Sequence, residues 1–498
     1  MLHTNTQSTT VTLKSLIDKE EYNSPNTDTN TNTKPKVPWL NLLVTVIVIS
    51  VYCLIFAAGR SPLFVFSSWM LMVLCMCFVM IEQPLNSLAP ANVASLLYAV
   101  SFAAAPMWLA DLGAYHHRYF GNEVEDLLGM TSVMTLVGYV FFLIGYFVYI
   151  HIRGRMRIQT IGLSIKLRRY LRLCLFVAGV VGTLFYIMLI IQSGGIGRLL
   201  GYSGGRADIF GSVYGGWFWG AHILFVAYGL FAILAMQKHP WLCLVLALVL
   251  AASFVPFQGR DLVVAPIFCW LIFYHLMRNS VSWKAIGVGA FSIILIASLL
   301  GAYRGGVIRD DAGSFFSTFF ETTGASLTKT VSANIEQLDT AMTAVRYVEK
   351  EGHTIGPMVL FSWAEPLDRA LLGNNIPSIY SGVFIDLLLY PEHKGWNTAA
   401  SPSLPGELFI GMGWFGVAAG MLLYGLVFGQ LTRWCNKMHY SPVLFAAYPF
   451  VLYILSKMIV DGTTHLFRLI IVLAILYIFA LFAPLSKSTE KNFNKETE

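Results

Sequence analysis

The sequence predicts an all-α polytopic membrane protein with about 12 transmembrane helices and one large loop on the outer side of the membrane. The composition is the first observation, because 56% of the 498 residues are apolar and only 12% are charged. The mean hydropathy of +0.65 agrees with it. The long apolar segments and the distribution of Lys and Arg are the second and third observations. Such a composition excludes a water-soluble enzyme held by a single membrane anchor.

Mainly apolar segments recur along the chain, each about 17 to 24 residues long, which is the length that a spanning helix needs. They begin near Trp39, Pro62, Val93, Met130, Leu171, Val213, Pro240, Asp261, Trp283, Leu408, Ser441 and Phe467. Residues 1–38 are rich in Thr, Asn and Ser and have no signal-peptide pattern, so we predict a disordered cytoplasmic tail there. The predicted order is then residues 39–302 with helices 1–9, residues 303–404 as the large outer loop, residues 405–484 with helices 10–12, and residues 485–498 as a second cytoplasmic tail.

The distribution of Lys and Arg sets the predicted orientation. With the amino terminus inside, the cytoplasmic segments contain 19 of these residues, whereas the short outer loops contain six arginines. An even number of spans places both termini in the cytoplasm and residues 303–404 outside. A connection of about 100 residues is too long for a loop without a function. Its middle, Ser326 to Glu351, has apolar residues at three- and four-residue spacing and is predicted to be helical.

Several common catalytic signatures are missing from the sequence. It contains neither a P-loop nor an HExxH motif, so the sequence does not indicate chemistry driven by a cytoplasmic nucleotide. None of the seven cysteines falls in a predicted outer loop, and no Cys/His spacing typical of a metal site occurs. We therefore predict no cofactor, no metal site and no nucleic-acid partner.

Arginines occur on the predicted outer side, where the positive-inside tendency should deplete them. A guanidinium group makes planar, bidentate hydrogen bonds to phosphate oxygens, so these arginines suit a diphosphate group at the membrane surface. The candidates for diphosphate binding lie in glycine- or aspartate-containing segments and are Arg206, Arg260, Arg304, Arg309 and Arg198. The alternatives are arginines that snorkel to lipid phosphates and a flexible turn in the glycine-rich stretch around Arg198 and Arg206.

Carboxylates and a histidine form a second candidate set. Glu407 opens the tenth predicted span, and Asp461 and His465 lie between the eleventh and twelfth, in SKMIVDGTTHLFR. Both stretches are expected at the same outer face, because a short inner turn joins the tenth and eleventh spans. Such groups can act as a general base toward a hydroxyl group. The alternative for Asp461 is a structural salt bridge with Lys457, four residues earlier on the same helix.

Aromatic residues of the large outer loop are candidates for sugar binding. The planes of Trp363, Tyr380 and Trp396 suit the apolar C–H faces of sugar rings. The alternative is an interfacial belt, in which aromatic side chains sit at the level of the lipid headgroups.

One segment, together with the overall plan, resembles a known family. Asn397 to Gly429, NTAASPSLPGELFIGMGWFGVAAGMLLYGLVFG, resembles the end of the large outer loop and the following helix of bacterial O-antigen polymerases of the Wzy type, the oligosaccharide repeat unit polymerases. In that family a polar, proline-containing approach leads to a Gly-Glu pair and then to a helix interrupted by glycines. Many spans with one large outer loop late in the chain are also similar.

The resemblance implies a function and a location. Such enzymes polymerise oligosaccharide repeat units carried on polyprenyl diphosphate, at the outer face of the bacterial cytoplasmic (inner) membrane. It further implies a fold similar to the C class of membrane glycosyltransferases, arginines that hold the donor diphosphate, and Glu407 in the place of the motif's acid. Expected partners are the lipid-linked oligosaccharide and membrane lipid, and a chain-length regulator protein is a candidate. The alternatives are an O-antigen ligase and a 12-span transporter or flippase of lipid-linked oligosaccharide.

Overall fold

The structure is a computed structural model that describes part of the chain. The described residues are 39–82, 88–110, 120, 123–153, 165–195, 220–257, 260–278, 281–282, 338–353, 362–364, 381–389, 400, 403–436 and 442–483. Within these ranges the protein is all-helical and contains no strand. The predicted tails, the predicted span near Trp283 and most of the large loop lie outside the described residues.

The described ranges contain fifteen α-helices, numbered here in chain order. They are α1 (Trp39–Ile55), α2 (Pro62–Glu82), α3 (Pro90–Ala99), α4 (Ala105–Ala110), α5 (Val124–Arg153), α6 (Ile165–Gln192), α7 (Ile223–Ala235), α8 (Pro240–Phe254), α9 (Arg260–Met277), α10 (Leu338–Glu351), α11 (Ser381–Leu389), α12 (Leu404–Asn436), α13 (Pro442–Phe445), α14 (Tyr448–Asp461) and α15 (Leu466–Leu481). A π-helical turn, Val100–Ala104, joins α3 to α4, and 3₁₀ turns cover Val255–Phe257, Ser362–Ala364 and Gly462–His465.

Five helical segments of the described chain are long and apolar enough to cross a membrane. They are Pro62–Ile81, Pro90–Trp108, Val124–His151, Ile165–Gln192 and Leu404–Trp434. Five shorter apolar helices accompany them, namely Trp39–Ile55, Ile223–Ala235, Pro240–Phe254, Leu262–Met277 and Leu466–Leu481. The prediction of a helical membrane protein is therefore confirmed.

Helices α5 and α12 pack closely against each other. A Cβ atom on Gly145 of α5 would lie 2.0 Å from the carbonyl oxygen of Leu422, and one on Gly425 of α12 would lie 2.0 Å from that of Phe142. Glycines therefore let the two backbones touch, as small residues commonly do between membrane helices. This pair gives α12 a rigid support close to the centre of the bundle.

Peripheral and central helices differ in how much of their surface is exposed and how much is packed against protein. Helix α6 buries one face, through residues such as Leu171 and Gly182, and exposes large apolar side chains such as Phe176 and Leu184 on the other. Helix α14 has no exposed side chain, and most of its residues are buried. An apolar helix that is surrounded by protein belongs to the interior, whereas an apolar exposed face suits lipid. The end of α14 is therefore held on all sides by protein.

Helix α10 confirms the predicted helix of the large loop over Leu338–Glu351. Its apolar face is buried against α12 and α5 through Leu338, Met342 and Val345. On its other side, an ion pair joins Arg346 to Glu123, just before α5, with an N–O distance of 3.3 Å. Because α10 packs on the starts of α5 and α12, these elements share one end of the bundle, which we call the α10 end.

Helix α12 is interrupted at this end. Met412 (φ −143°, ψ 15°) and Gly413 (φ +60°, ψ −148°) leave the helical conformation. A positive φ favours glycine, and a Cβ atom at position 413 would also lie 2.5 Å from Cε1 of His353, which follows α10. The break therefore separates a short first segment, Leu404 to Ile410, from the long apolar part of α12.

Candidate functional site

A tight turn at the α10 end joins α14 to α15. Helix α14 ends at Asp461, and Gly462 takes φ +71° and ψ −163°, a conformation that L side chains rarely adopt. The 3₁₀ turn Gly462–His465 then leads directly into α15. The glycine thus stops α14 at Asp461 and folds the next residues back over its last turn.

Asp461 is the centre of a largely buried polar cluster. Its Oδ2 lies 2.7 Å from Nζ of Lys457 and 2.7 Å from Nε2 of His465. Both partners are four residues away along the chain, so the last turn of α14 and the following 3₁₀ turn present them on the same side as the carboxylate. The sequence prediction of a Lys457–Asp461 salt bridge is confirmed, and Asp461 also contacts the histidine.

His465 is held in the neutral form. Burial, followed by the nearby positive charges of Lys457 and Arg468, lowers the pKa of its imidazole from 6.5 to about 4, although Asp461 acts in the opposite direction. A neutral imidazole whose Nε2 faces a carboxylate donates its Nε2–H to that carboxylate and keeps a lone pair on Nδ1. At neutral pH the Asp461–His465 pair is therefore an oriented proton acceptor.

Glu407 reaches this turn from the first turn of α12. Each of its carboxylate oxygens accepts one hydrogen bond from Thr463: the backbone N–H donates to Oε2 and the hydroxyl donates to Oε1, both at 2.7 Å. The side chain of Glu407 has no exposed surface. The two residues are 56 positions apart in the chain. The expectation that Glu407 lies near the stretch around Asp461 is confirmed.

The start of α12 is shaped so that Glu407 can reach Thr463. Ser403 has φ +56°, and its Oγ accepts a hydrogen bond from the backbone N–H of Gly406 at 3.3 Å. This is the N-cap interaction that satisfies a free N–H group at the beginning of a helix. Glu407 therefore lies in the first turn of a capped helix, and this first turn is next to the α14–α15 turn.

Trp363 lies beside the same turn. It belongs to the 3₁₀ turn Ser362–Ala364, which packs against Gly462–His465 and against α15. The side chain is partly exposed, at 38%, whereas Ser362 is buried. Of the three predicted sugar-binding aromatics, Trp363 thus combines proximity to the cluster with an accessible ring.

Two residues of the cluster were missed when candidates were selected from the sequence. Thr463 carried no signal, because its role depends on a contact with a distant helix. Arg468 is one of the six arginines of the predicted short outer loops but not one of the site candidates, although it is only 5% exposed and close enough to His465 to lower the pKa of the imidazole. The spacing Lys457, Asp461, His465, Arg468 follows one helix face and could have indicated it.

The remaining sequence candidates are not tested by these contacts. Arg198, Arg206, Arg304, Arg309, Tyr380 and Trp396 lie outside the described residues. Arg260 is the first residue of α9, and only its backbone is described. In the described part of the chain, no group of three or more His, Cys, Asp or Glu side chains has the arrangement of a metal site. These arginines and aromatics stay predictions.

Comparisons of the chain with protein-family models, with curated proteins and with solved structures find no match. A functional proposal therefore depends on the geometry of the α14–α15 turn and on the resemblance of the segment that contains Glu407.

Proposed function

We propose that this protein is a membrane glycosyltransferase that polymerises polyprenyl-diphosphate-linked oligosaccharide repeat units into O-antigen or a related surface polysaccharide. The observation that carries the proposal is the partly buried Asp461–His465 pair, with an Nε2–Oδ2 distance of 2.7 Å. It supplies the proton acceptor that such a transfer needs. Thr463, which lies between the two members of the pair in the chain, is bonded to Glu407, the acid of the segment that resembles Wzy-type polymerases.

The proposed reaction is an inverting displacement at the anomeric carbon of the donor sugar. The acceptor hydroxyl transfers its proton to Nδ1 of His465, and its oxygen forms the new glycosidic bond. The bond between the anomeric carbon and the diphosphate oxygen breaks, and polyprenyl diphosphate leaves. Asp461 accepts the Nε2–H hydrogen bond, which orients the ring and stabilises the imidazolium that forms.

Cationic groups around His465 suit the charge of the leaving diphosphate. Lys457 and Arg468 are near enough to lower the pKa of His465, so their positive potential extends over the place where the reaction would occur. The arginines predicted from the sequence, Arg198, Arg206, Arg260, Arg304 and Arg309, would add bidentate contacts to the diphosphate. The partly exposed Trp363 beside the turn is proposed to stack on a sugar ring of the acceptor or donor.

The finer architectural predictions belong to the same proposal. They are 12 spans, a C-class membrane glycosyltransferase fold, both termini in the cytoplasm and a location in the bacterial inner membrane. The apolar helices support spans in general. In this arrangement the α10 end faces the outer side of the membrane, where the activated donor needs no cytoplasmic nucleotide.

The test is a deletion of the gene in its own host, complemented by the wild-type copy, with surface polysaccharide resolved on a gel. We expect the ladder to disappear while a single repeat unit stays attached to lipid A core. Loss of every attached unit, with carrier-linked polymer accumulating, would instead indicate an O-antigen ligase. Loss of carrier-linked units from the outer face would indicate a transporter, and an unchanged gel would contradict all three functions.

A further inference from the structure

We infer that Glu407 is a positioning residue, which fixes the turn Gly462–His465 through Thr463 and thereby sets the orientation of His465. The inference rests on the proposed function for its effect on turnover, but its structural part can be tested without any activity. It assigns to Glu407 a role different from direct proton transfer, which the resemblance alone would suggest.

The first reason is the burial and bonding of the carboxylate. Glu407 exposes no surface, so in this structure it offers no face to a substrate hydroxyl. Its two oxygens instead take the two hydrogen-bond donors of Thr463, the backbone N–H and the hydroxyl. Hydrogen bonds to an ionised group are about twice as strong as neutral ones, and two of them on one residue fix both its backbone and its side chain.

The second reason is the place of Thr463 in the chain. It lies two residues after Asp461 and two residues before His465, in the middle of the turn that connects the pair. The turn after the positive φ at Gly462 is a 3₁₀ helix of only four residues, and its hydrogen bonds have poorer geometry than those of an α-helix. Anchoring its central residue therefore limits the angle at which His465 meets Asp461.

The third reason is that the segment of α12 that contains Glu407 is itself held in place. Glu407 belongs to the short segment of α12 that precedes the break at Gly413. The neighbouring Gly406 packs on α10, where a Cβ atom would lie 3.4 Å from the Cα of Ala341. Helix α10 therefore holds the segment that carries the carboxylate. The hydrogen bonds from Thr463 to the carboxylate then fix the turn relative to this segment.

The activity test is a set of four variants assayed on lipid-diphosphate-linked repeat units, with kcat and KM separated. Glu407→Gln and Thr463→Val should each lower kcat by about tenfold to hundredfold, the effect of losing a hydrogen bond to a charged group. Thr463→Ser keeps the hydroxyl and should stay close to wild type. The double variant Glu407→Gln/Thr463→Val should fall within about twofold of the worse single variant, because the two substitutions act on the same Glu407–Thr463 contact.

The pH profile separates positioning from direct catalysis. If Glu407 only positions His465, its Gln variant keeps the acid limb of the wild-type kcat profile at reduced height. A variant that loses this limb, or a Thr463→Val protein with full activity beside an inactive Glu407→Gln protein, would show that Glu407 itself moves the proton. Multiplying effects in the double variant would likewise overturn the inference.

A second measurement is independent of turnover. Diethyl pyrocarbonate acylates neutral imidazole, so the modification rate of His465, followed by mass spectrometry, reports how well the turn protects it. The exposed His151 serves as the internal standard. We expect Glu407→Gln and Thr463→Val to raise the rate at His465 by about tenfold through more frequent local opening.

The two tests distinguish two kinds of failure. An unchanged modification rate at His465 in Glu407→Gln would overturn the positioning role, whatever the protein catalyses. A raised modification rate in a protein whose wild type does not polymerise lipid-linked repeat units would keep the positioning role and reject the proposed function.

Discussion

Two buried carboxylates lie at the α10 end, Glu407 in the first turn of α12 and Asp461 in the last turn of α14, and they are bonded to different kinds of groups. Glu407 accepts hydrogen bonds from the uncharged donors of Thr463. Asp461 is bonded to the ammonium group of Lys457 and to the imidazole of His465. The difference teaches that burial alone does not define a catalytic acid or base. The Thr463 donors tie Glu407 to the turn and hold structure, whereas the lysine and the histidine beside Asp461 suit the control of a proton.

The partners differ because the two carboxylates are placed by different parts of the chain. Lys457 and His465 lie four residues to either side of Asp461, so local helical geometry brings them together. Thr463 lies 56 residues from Glu407, and only packing of α12 against the α14–α15 turn joins them. Each of the following predictions concerns one of these two carboxylates or the residues and segments around it.

The largest expected effect is on turnover. Replacing the proton acceptor in His465→Ala should lower kcat by about 10²- to 10⁴-fold, the usual contribution of a general base. Asp461→Asn should also lower kcat, because the amide cannot stabilise an imidazolium as a carboxylate does. Polymerisation of lipid-linked repeat units in vitro is the measurement. His151→Ala, at the exposed end of α5, is the matched control and should keep the wild-type rate.

The next effect is on stability. Lys457→Met removes the cation and leaves the buried carboxylate of Asp461 with only its other partners, which should lower the free energy of unfolding by about 3 kcal/mol. Thermal unfolding in detergent measures it. Adding Asp461→Asn to Lys457→Met should recover part of the loss, because the uncompensated charge disappears. A Lys457→Met protein as stable as wild type would show that the salt bridge contributes nothing.

The break in α12 should be sensitive to a single methyl group. Gly413→Ala forces an L side chain into a positive φ and toward the ring of His353, so we expect a loss of about 1 to 3 kcal/mol in stability. Gly179→Ala in α6 is the control, since its Cβ would meet nothing within 4 Å and its backbone is helical. Gly179→Ala should leave the unfolding temperature unchanged or raise it slightly. Equal effects of the two substitutions would mean that the break is not needed.

The last expected effect is a pH dependence of stability. The pKa of His465 falls from 6.5 to about 4 on folding, chiefly because burial disfavours the charged ring. The unfolded chain therefore binds more protons between these values, and stability should decrease as the pH falls from 6.5 toward about 4. Unfolding temperatures of the wild type and of His465→Gln, measured across this window, should differ in slope. Parallel slopes would indicate that His465 titrates normally.

Some of the fold and of the candidate site could be predicted from local sequence. Apolar segments of sufficient length predicted membrane helices because a bilayer requires every backbone group to bond within its own segment. The Lys457–Asp461 pair and the helix ending at Glu351 followed from helical periodicity. The proximity of Glu407 to the Asp461 stretch followed from counting spans between them.

Other features could not be predicted because they depend on contacts between distant segments. Nothing local marks Thr463 as the partner of Glu407, since many threonines flank helices. The break at Gly413 requires both the positive φ and the ring of His353 against it. The role of Arg468 likewise depends on its burial. The sequence predicts only a position on the outer side of the membrane, where an arginine need not be buried.

By itself, the sequence determined that this is a helical membrane protein and which ionisable groups share one turn of helix, because hydropathy and periodicity act over a few residues. Only the tertiary structure decided which carboxylate meets a histidine and a lysine and which meets a threonine. The physical reason is that hydrogen bonds act over about 3 Å. The sequence shows only the order of the helices along the chain. It does not show which side chains of different helices come within that distance.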